Sequence, residues 1–400
     1  MSAAHRELRA GAARHLSLTV DSGGNGGGPA SVGLVHDYLL VMRGAERTFA
    51  QIAACWPQAP IYTLLYDERG TRREFAGRVA ATSYLQHLPL RQRGFRMLLP
   101  ALPRAAERLP LGRHSVVISS TSAFGHGVRP PGRALHISYC HSPFRYIWHE
   151  RERALAEMPG ALRPFGARTL DRIRAWDLRA AARVDHFIAN SQITRERIAR
   201  VWGREAVVIH PPVDTRRFAI AEPEDYFLYV GELVPHKRVD AALAAASKAG
   251  RAMKVVGDGP ALNALRAGFG DQAEFVGRVD DQRLAELMSR ARALVVPNVE
   301  EFGIAAVEAQ AAGRPVVAPD HGGTVETVID GTTGVLYPAG DFDALTQALR
   351  DVDFDRFNST TIVEHASRFS QEAFRTRLRA EVTRLSAEGA VRTGDGGVDE

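Results

Sequence analysis

Cysteine is nearly absent from this 400-residue chain, with Cys55 and Cys140 the only two. A disulfide framework is thereby excluded, and a reducing, cytoplasmic setting fits. Lysine is almost as scarce, occurring only at 237, 248 and 254, so arginine carries most of the positive charge. No stretch approaches the roughly 20 consecutive apolar residues that a membrane-spanning helix needs. Arg6, Arg9 and Arg14 interrupt the first residues where a secretory signal would place its apolar core, which argues against one. Apolar residues make up 45% and charged residues 24% of the chain. That balance is globular and excludes disorder, collagen and coiled coil as the main architecture.

What is present points first to two domains, because 400 residues exceed one ordinary domain. The net charge of +5 conceals an asymmetry: residues 1–214 carry 30 Lys and Arg against 17 Asp and Glu, whereas residues 215–400 carry 21 against 29. A basic half joined to an acidic half suggests that the first half faces something anionic. The glycine-rich stretch SGGNGGGPAS (22–31) cannot bury a core, so residues 1–31 are expected to be a flexible tail.

From Val32 onward, short β-rich runs alternate with helical patterns, as in parallel α/β sheets. Strands are expected at 32–36, 60–65, 115–120, 135–140, 186–190 and 207–210, then at 226–231, 253–257, 274–277, 294–297, 315–319 and 334–338. Helices are expected at 45–55, 167–183, 191–202, 237–249, 260–267, 281–292, 303–313 and 341–350. Pro211 and Pro212 separate the two series. Two doubly wound α/β domains follow, over 32–212 and 213–370, with ligands at the carboxyl ends of the strands and in the cleft between them. A helix over 371–388 carries an apolar stripe able to pack on either domain, and 389–400 reads as a second flexible tail.

The strongest local signal is EEFGIAAVEAQAAGRP (300–315). Glu300 and Glu308 stand eight residues apart with a helix starting between them, about 12 Å along a helix axis. Such a pair can hold two separated polar groups of one long ligand. The free amides near Phe302, Gly303 and Ile304 suit a phosphate or sugar oxygens, and Gly303 lets the backbone approach closely. An ordinary capped helix with acidic first-turn residues has the same local pattern.

The wider order of motifs resembles the retaining GT-B glycosyltransferases of family 4, also called group 1. Glu300-x7-Glu308 with the trailing AGRPVVA (312–318) is similar to that family's E-x7-E block. VGELVPHKRVD (230–240), VVGDGP (255–260), FVGRV (275–279) and HGG followed by Glu326 resemble further segments of its nucleotide-binding half. In the first half, HDYLLVMRGAER (36–47) resembles its glycine loop, YCHSPFRYIW (139–148) its HxPxRY block, and FIANSQ (187–192) its inter-strand segment. The likeness runs in order from about Val32 to Gln371. It implies a GT-B fold of two Rossmann-like domains facing across a cleft, the first taking the acceptor and the second the nucleotide sugar.

The resemblance also implies roles. Lys237 would bind the donor diphosphate, Glu300 the donor-sugar hydroxyls and Glu308 the ribose diol. Phe302, Gly303 and Ile304 would offer amides, and Gly44 would sit against the phosphates or acceptor. His141 would lie at the cleft floor near the reacting sugar, with Gly277 and Arg278 lining the base. Lys237 and helix-end amides supply positive potential for a departing diphosphate, and no Asp-x-Asp stands at a strand end, so no metal or other cofactor is expected. Retention at one face needs no enzyme nucleophile. The style of the motifs resembles mannosyltransferases using GDP-mannose in surface-polysaccharide or glycolipid assembly, with UDP-sugars the alternative donors.

Two departures stand out. The family's GGAE reads Arg43-Gly44-Ala45-Glu46 here, and Glu232 replaces the usual phosphate-binding arginine. Arg43 or Arg238 is expected to restore the missing charge. A degenerate subunit that keeps the fold without turnover is the competing reading that these departures allow. The segment 90–113 holds six arginines and one acid interleaved with apolar residues, as a surface helix at an anionic inner leaflet would. Pro100 and Pro103 would break that helix, and a partly buried helix pair with basic outer faces is the alternative. No nucleic-acid partner is expected, because no recognised reader motif occurs.

Overall fold

The computed structural model describes residues 31–88 and 95–394. Residues 1–30 of the expected tail 1–31 and residues 395–400 of the expected tail 389–400, together with Arg91 and Arg93, lie outside the described residues. Among the described residues the first sheet has seven strands: β1 (Val32–Leu39), β2 (Ile61–Tyr66), β3 (Val79–Thr82), β4 (Val116–Thr121), β5 (Leu135–Cys140), β6 (His186–Ala189) and β7 (Ala206–Val208). Their order is β3-β2-β1-β4-β5-β6-β7, every pairing parallel. The second sheet has six parallel strands: β8 (Phe227–Val230), β9 (Met253–Val256), β10 (Ala273–Gly277), β11 (Ala293–Val295), β12 (Val316–Pro319) and β13 (Gly334–Tyr337). Their order is β10-β9-β8-β11-β12-β13.

The central strands are apolar on both faces, as parallel strands covered by helices must be. β4 is buried along its whole length, and β1 is buried except at Tyr38. The polar residues inside these two strands, His36, Asp37, Ser119, Ser120 and Thr121, are therefore the ones that need a reason. All twelve expected strands form. The thirteenth, β3, escapes a sequence reading because VAAT is short, at the sheet edge and only partly buried.

The chain crosses between the sheets twice, and the two crossings touch. Val213 N–H donates to the Phe369 carbonyl (2.9 Å), and Gln371 N–H to the Val213 carbonyl (3.2 Å). After the second crossing the helix Gln371–Gly394 returns to the first sheet. Phe374, Leu378, Val382 and Leu385 join the core of Leu34, Phe49, Ile137 and Tyr139. The helix runs past its expected end at 388, because a single Gly389 costs about 1 kcal/mol without breaking a helix.

The basic segment also differs from a membrane-lying helix. A 3₁₀ turn at Phe95–Leu98 is followed by the short helix Leu102–Glu107. Leu98, Leu102, Ala105, Ala106 and Leu109 are buried in the first sheet's core, whereas Arg104, Arg108 and Arg113 are exposed. Met97 stays exposed, at 72%. Burial in the core satisfies the apolar side of the segment without a bilayer.

Leu378 is fully buried, so Leu378→Ala should destabilise the protein by about 2–5 kcal/mol. Chemical denaturation measures this directly; a change below about 0.5 kcal/mol, the scale of ordinary surface substitutions, would contradict the packing.

Candidate active site

Strand order reverses between β8 and β11, and a doubly wound sheet leaves a crevice at the carboxyl ends of two such strands. The turn after β8 carries Lys237, and the loop after β11 carries Glu300. The Lys237 ammonium donates to both Glu300 carboxylate oxygens, Oε1 at 2.6 Å and Oε2 at 2.7 Å, and the Asn298 side-chain amide adds a bond to Oε1 at 3.1 Å. The turn can fold this tightly because Gly257 has no side chain: a Cβ there would run into the Gly231 carbonyl.

Two residues past Glu301, Gly303 takes φ +87° and starts the helix Ile304–Ala311. A side chain is strained in that conformation, and the backbone reversal leaves the first amides of the helix uncapped by any side chain. Phe302 turns its ring into the core against His210 and Phe369, so only its backbone can serve the site. Gly44, at the start of the helix Gly44–Cys55, lies opposite: a Cβ there would stand 3.3 Å from Ile304 Cδ1. The first sheet's glycine loop and the second sheet's helix start thus face each other.

Glu308, just over a turn further along, is buried and bonded to Arg217 Nη2 at 2.5 Å. Arg217 Nη1 also reaches Asp281 at 3.1 Å, and Arg47 Nη2 reaches the same carboxylate at 3.7 Å from the first half. Burial pushes the Glu308 carboxyl up, while Arg217 and Arg47 oppose that rise.

The floor on the first side is built by β1, β4 and the end of β5. Ser120 Oγ lies 3.1 Å from His36 Nδ1 and 2.9 Å from His141 Nε2. One hydroxyl proton serves two imidazoles, so at least one ring must itself donate N–H to the oxygen. Burial pushes His36 down to about 3 and His141 down to about 4, reinforced at His36 by the neighbouring His141 and at His141 by Arg145. Both rings are neutral at physiological pH. Next to them, the buried Asp37 carboxylate accepts backbone N–H from Ser122, Phe124 and Gly125, and the Thr121 hydroxyl, fixing the loop after β4.

Besides Asp281, two further carboxylates join the halves across the cleft. Glu301 meets Arg197 Nη1 at 3.1 Å and Arg145 Nε at 3.4 Å, both from the first half. Burial would raise its carboxyl, but the two arginines outweigh that and hold it below the usual range. Glu326 accepts from the Gln192 amide (2.7 Å), at the start of the helix Gln192–Trp202, and contacts His210 Nε2 at 2.8 Å.

Lys237, Glu300, Phe302, Gly303, Ile304 and Gly44 therefore converge, with Glu308 further along the same helix and His141 on the floor formed by the first sheet. Arg238 instead pairs with Asp240 at 3.4 Å and lies over the Phe342 ring at 4.5 Å. Arg278 is 80% exposed, 3.5 Å from Asp258, beside Gly277 at φ +80°. Arg43 is exposed on the loop before Gly44, its N–H bonded to the Glu46 carboxylate at 3.0 Å. Sequence reasoning missed Arg217, Arg47, Glu301, Arg145, Arg197, His36 and Ser120. Of these, His36, Arg47, Arg145 and Glu301 lie inside the motif blocks, whereas no spacing links Arg217 or Ser120 to its partner.

These two facing parallel sheets define a GT-B fold. The model of glycosyl transferases group 1 matches residues 213–375, and that of glycosyltransferase family 4 matches residues 42–217. The chain belongs to this glycosyltransferase family. A D-inositol 3-phosphate glycosyltransferase 2 of Catenulispora acidiphila is 32% identical over 232 residues, 47% of this chain and 53% of that protein. A GDP-mannose-dependent alpha-(1-6)-phosphatidylinositol monomannoside mannosyltransferase of Mycolicibacterium smegmatis is 33% identical over 196 residues, 40% of this chain and 51% of that protein. The chain spans about half the length of these curated relatives. In fold it is similar to sucrose-phosphate synthase of Thermosynechococcus elongatus, with TM-score 0.67, 20% identity and coverage of 89% and 100%. Anabaena HepE in complex with UDP-glucose gives TM-score 0.64, 17% identity and coverage of 88% and 99%.

The neutral histidines set a pH dependence. A histidine whose folded pKa is depressed below the unfolded value near 6.5 stabilises the fold above that value. The stability is lost as pH falls through the window from about 6.5 toward the folded values near 3 and 4. Each such ring contributes a slope of up to about 1.4 kcal/mol per pH unit. The denaturant midpoint should therefore drop between pH 7 and 5, and His36→Gln should make the drop shallower. An unchanged slope in that variant would remove His36 as its source.

Proposed function

We propose that the chain transfers a sugar from a nucleoside-diphosphate sugar to a saccharide or lipid-linked acceptor, with retention at the anomeric carbon. The observation that carries this reading is the Lys237–Glu300 pair at the β8/β11 crevice, beside an amide-bearing helix start and facing Gly44. The region 213–370 binds the nucleotide sugar, and the region 32–212 takes the acceptor.

In this reading the Lys237 ammonium leaves Glu300 for the diphosphate, and Glu300 turns to donor-sugar hydroxyls. The backbone amides at 302–304 face the phosphates and sugar, Glu308 accepts from the ribose diol with Arg217 as its counter-charge, and Gly277 and Arg278 border the base. The bond from the anomeric carbon to the diphosphate oxygen breaks, and a bond to the acceptor oxygen forms on the same face. The acceptor's proton passes to the leaving diphosphate oxygen, so no protein nucleophile is consumed. Positive charge at the diphosphate lowers the barrier by stabilising the charge that develops there. His141, neutral and anchored on Ser120, orients the sugar by hydrogen bonding. Arg43 and Arg47, carried by the first half, offset the anion that Glu232 brings to the turn after β8.

GDP-mannose is the preferred donor, supported by the motif style and by the named activity of the M. smegmatis relative. UDP-glucose is the second reading, favoured by the ligand of HepE. The basic outer face of 102–113 supports a peripheral position at the inner face of a membrane. No helix among the described residues is long and apolar enough to cross one.

A thermal-shift panel of GDP, UDP, ADP and their sugar conjugates tests the donor, because a ligand bound only to the folded state raises the melting temperature. A rise with GDP-mannose above all others is expected; no rise with any nucleotide would end the proposal. In the same assay Glu308→Ala should weaken binding of the favoured nucleotide about 10- to 100-fold, the scale of losing charge-assisted hydrogen bonds. Lys237→Ala should lower turnover at saturating donor by a comparable factor or more, read by release of nucleoside diphosphate. Full activity in that variant would remove the lysine from the reaction.

A further inference from the structure

A cavity of about 480 Å³ opens on the first half, lined by Pro100, Pro103, Arg104, Glu107, Arg108, Arg129 and Trp176. None of these residues belongs to the cleft. We propose that it is a second anion site, in which Arg104, Arg108 and Arg129 bind a phosphate group attached to a larger molecule.

The charge arrangement is the first argument. Glu107 is the one acid in the lining, and its carboxylate is already occupied. Arg129 Nη2 reaches it at 3.0 Å, Arg183 Nη2 at 3.1 Å and the Trp176 indole N–H at 3.1 Å. Burial would raise this carboxyl, but those partners hold it below the usual carboxylate range. Arg104 and Arg108 have no carboxylate within ion-pair distance among the described residues. They stand one helical turn apart, the Arg108 N–H donating to the Arg104 carbonyl at 3.1 Å. Like charges at that spacing disfavour the helix they share. An anion between the guanidinium groups removes that repulsion.

The second argument is rigidity. The helix bearing both arginines is anchored by buried Leu102, Ala105 and Ala106. Trp176 packs against Phe124 and His126 at 5.7 Å between ring centroids, and its ring fills the space that a side chain at Gly127 would need. The arginines thus project from fixed supports. Planar guanidinium groups match phosphate oxygens in pairs, and the proline and indole walls leave apolar surface for what the phosphate carries. The volume exceeds what a bare phosphate fills, which points to a phosphomonoester such as a lipid headgroup or a soluble sugar or glycerol phosphate.

The test uses the full chain, glycerol 3-phosphate, and neutral vesicles doped with either phosphatidic acid or phosphatidylserine at equal charge. Arg104→Gln with Arg108→Gln is compared with Arg168→Gln and Arg172→Gln, which removes the same charge at the same spacing from exposed positions on the helix Arg163–Ala181. The first pair should lose at least tenfold in affinity for the phosphomonoester, while the second pair stays near the parent. Binding of glycerol 3-phosphate identifies a soluble source; binding of phosphatidic-acid vesicles alone identifies a lipid headgroup. Equal losses in both variants, or no loss in the first, would overturn the proposal. Nucleotide titration should be unchanged in both variants. If nucleotides fail to bind any of the proteins, the donor reading falls and this readout still stands.

Discussion

The bidentate contact between Lys237 and Glu300 is the constraint from which the rest of the site takes its meaning. It exists because strand order reverses between β8 and β11, so two loops distant in sequence leave the sheet side by side. Parallel pairing alone would send every connection over the faces; only the reversal point leaves a crevice free of a covering helix. A cation and an anion at that point keep each other satisfied while remaining partly open. Burial is incomplete, at 25% and 21% side-chain exposure, so both groups can exchange partners without the penalty of a fully buried pair.

Around that pair, polar contacts join the halves, beside the stacking of the His210 ring on Phe302. Glu301 with Arg145 and Arg197, Glu326 with His210 and Gln192, and Asp281 with Arg47 are ion pairs or hydrogen bonds at the cleft rim. Partly exposed pairs of this sort stabilise weakly. By contrast, the helix Gln371–Gly394 is fastened to the first sheet by buried apolar side chains. The two chain crossings sit together at Val213 and Phe369–Gln371. Apolar cohesion inside each half thus contrasts with largely polar contacts between them, which are the weaker kind.

Much of this was legible beforehand, and the exceptions share a cause. Strand runs such as FLYV and VVAP are apolar on both faces and announce buried parallel strands by composition alone. β3 does not, since an edge strand with half its surface in water needs no apolar run. Glu300, Gly303 and Glu308 lie in one local block, so their spacing is visible. Arg217 and Ser120 gain their roles from partners 91 and 21 residues away, and nothing local marks them. The basic segment 90–113 was ambiguous for the same reason: apolar residues among arginines read alike whether a bilayer or the protein's own core covers them, and Leu98, Leu102, Ala105, Ala106 and Leu109 lie in the core while the basic face stays open.

By itself, then, the sequence determined the alternation of strand and helix, the break at Pro211-Pro212, and the acidic pair flanking a glycine at a helix start. Those are consequences of local backbone preference and of periodic burial, which act over a few residues. The tertiary structure decided which charges meet: Lys237 with Glu300, Arg217 with Glu308, Glu301 with two arginines across the cleft, and Ser120 between two histidines. Electrostatic and hydrogen-bond partners depend on distances of a few ångströms through space, and chain order fixes those distances only after the sheets have formed.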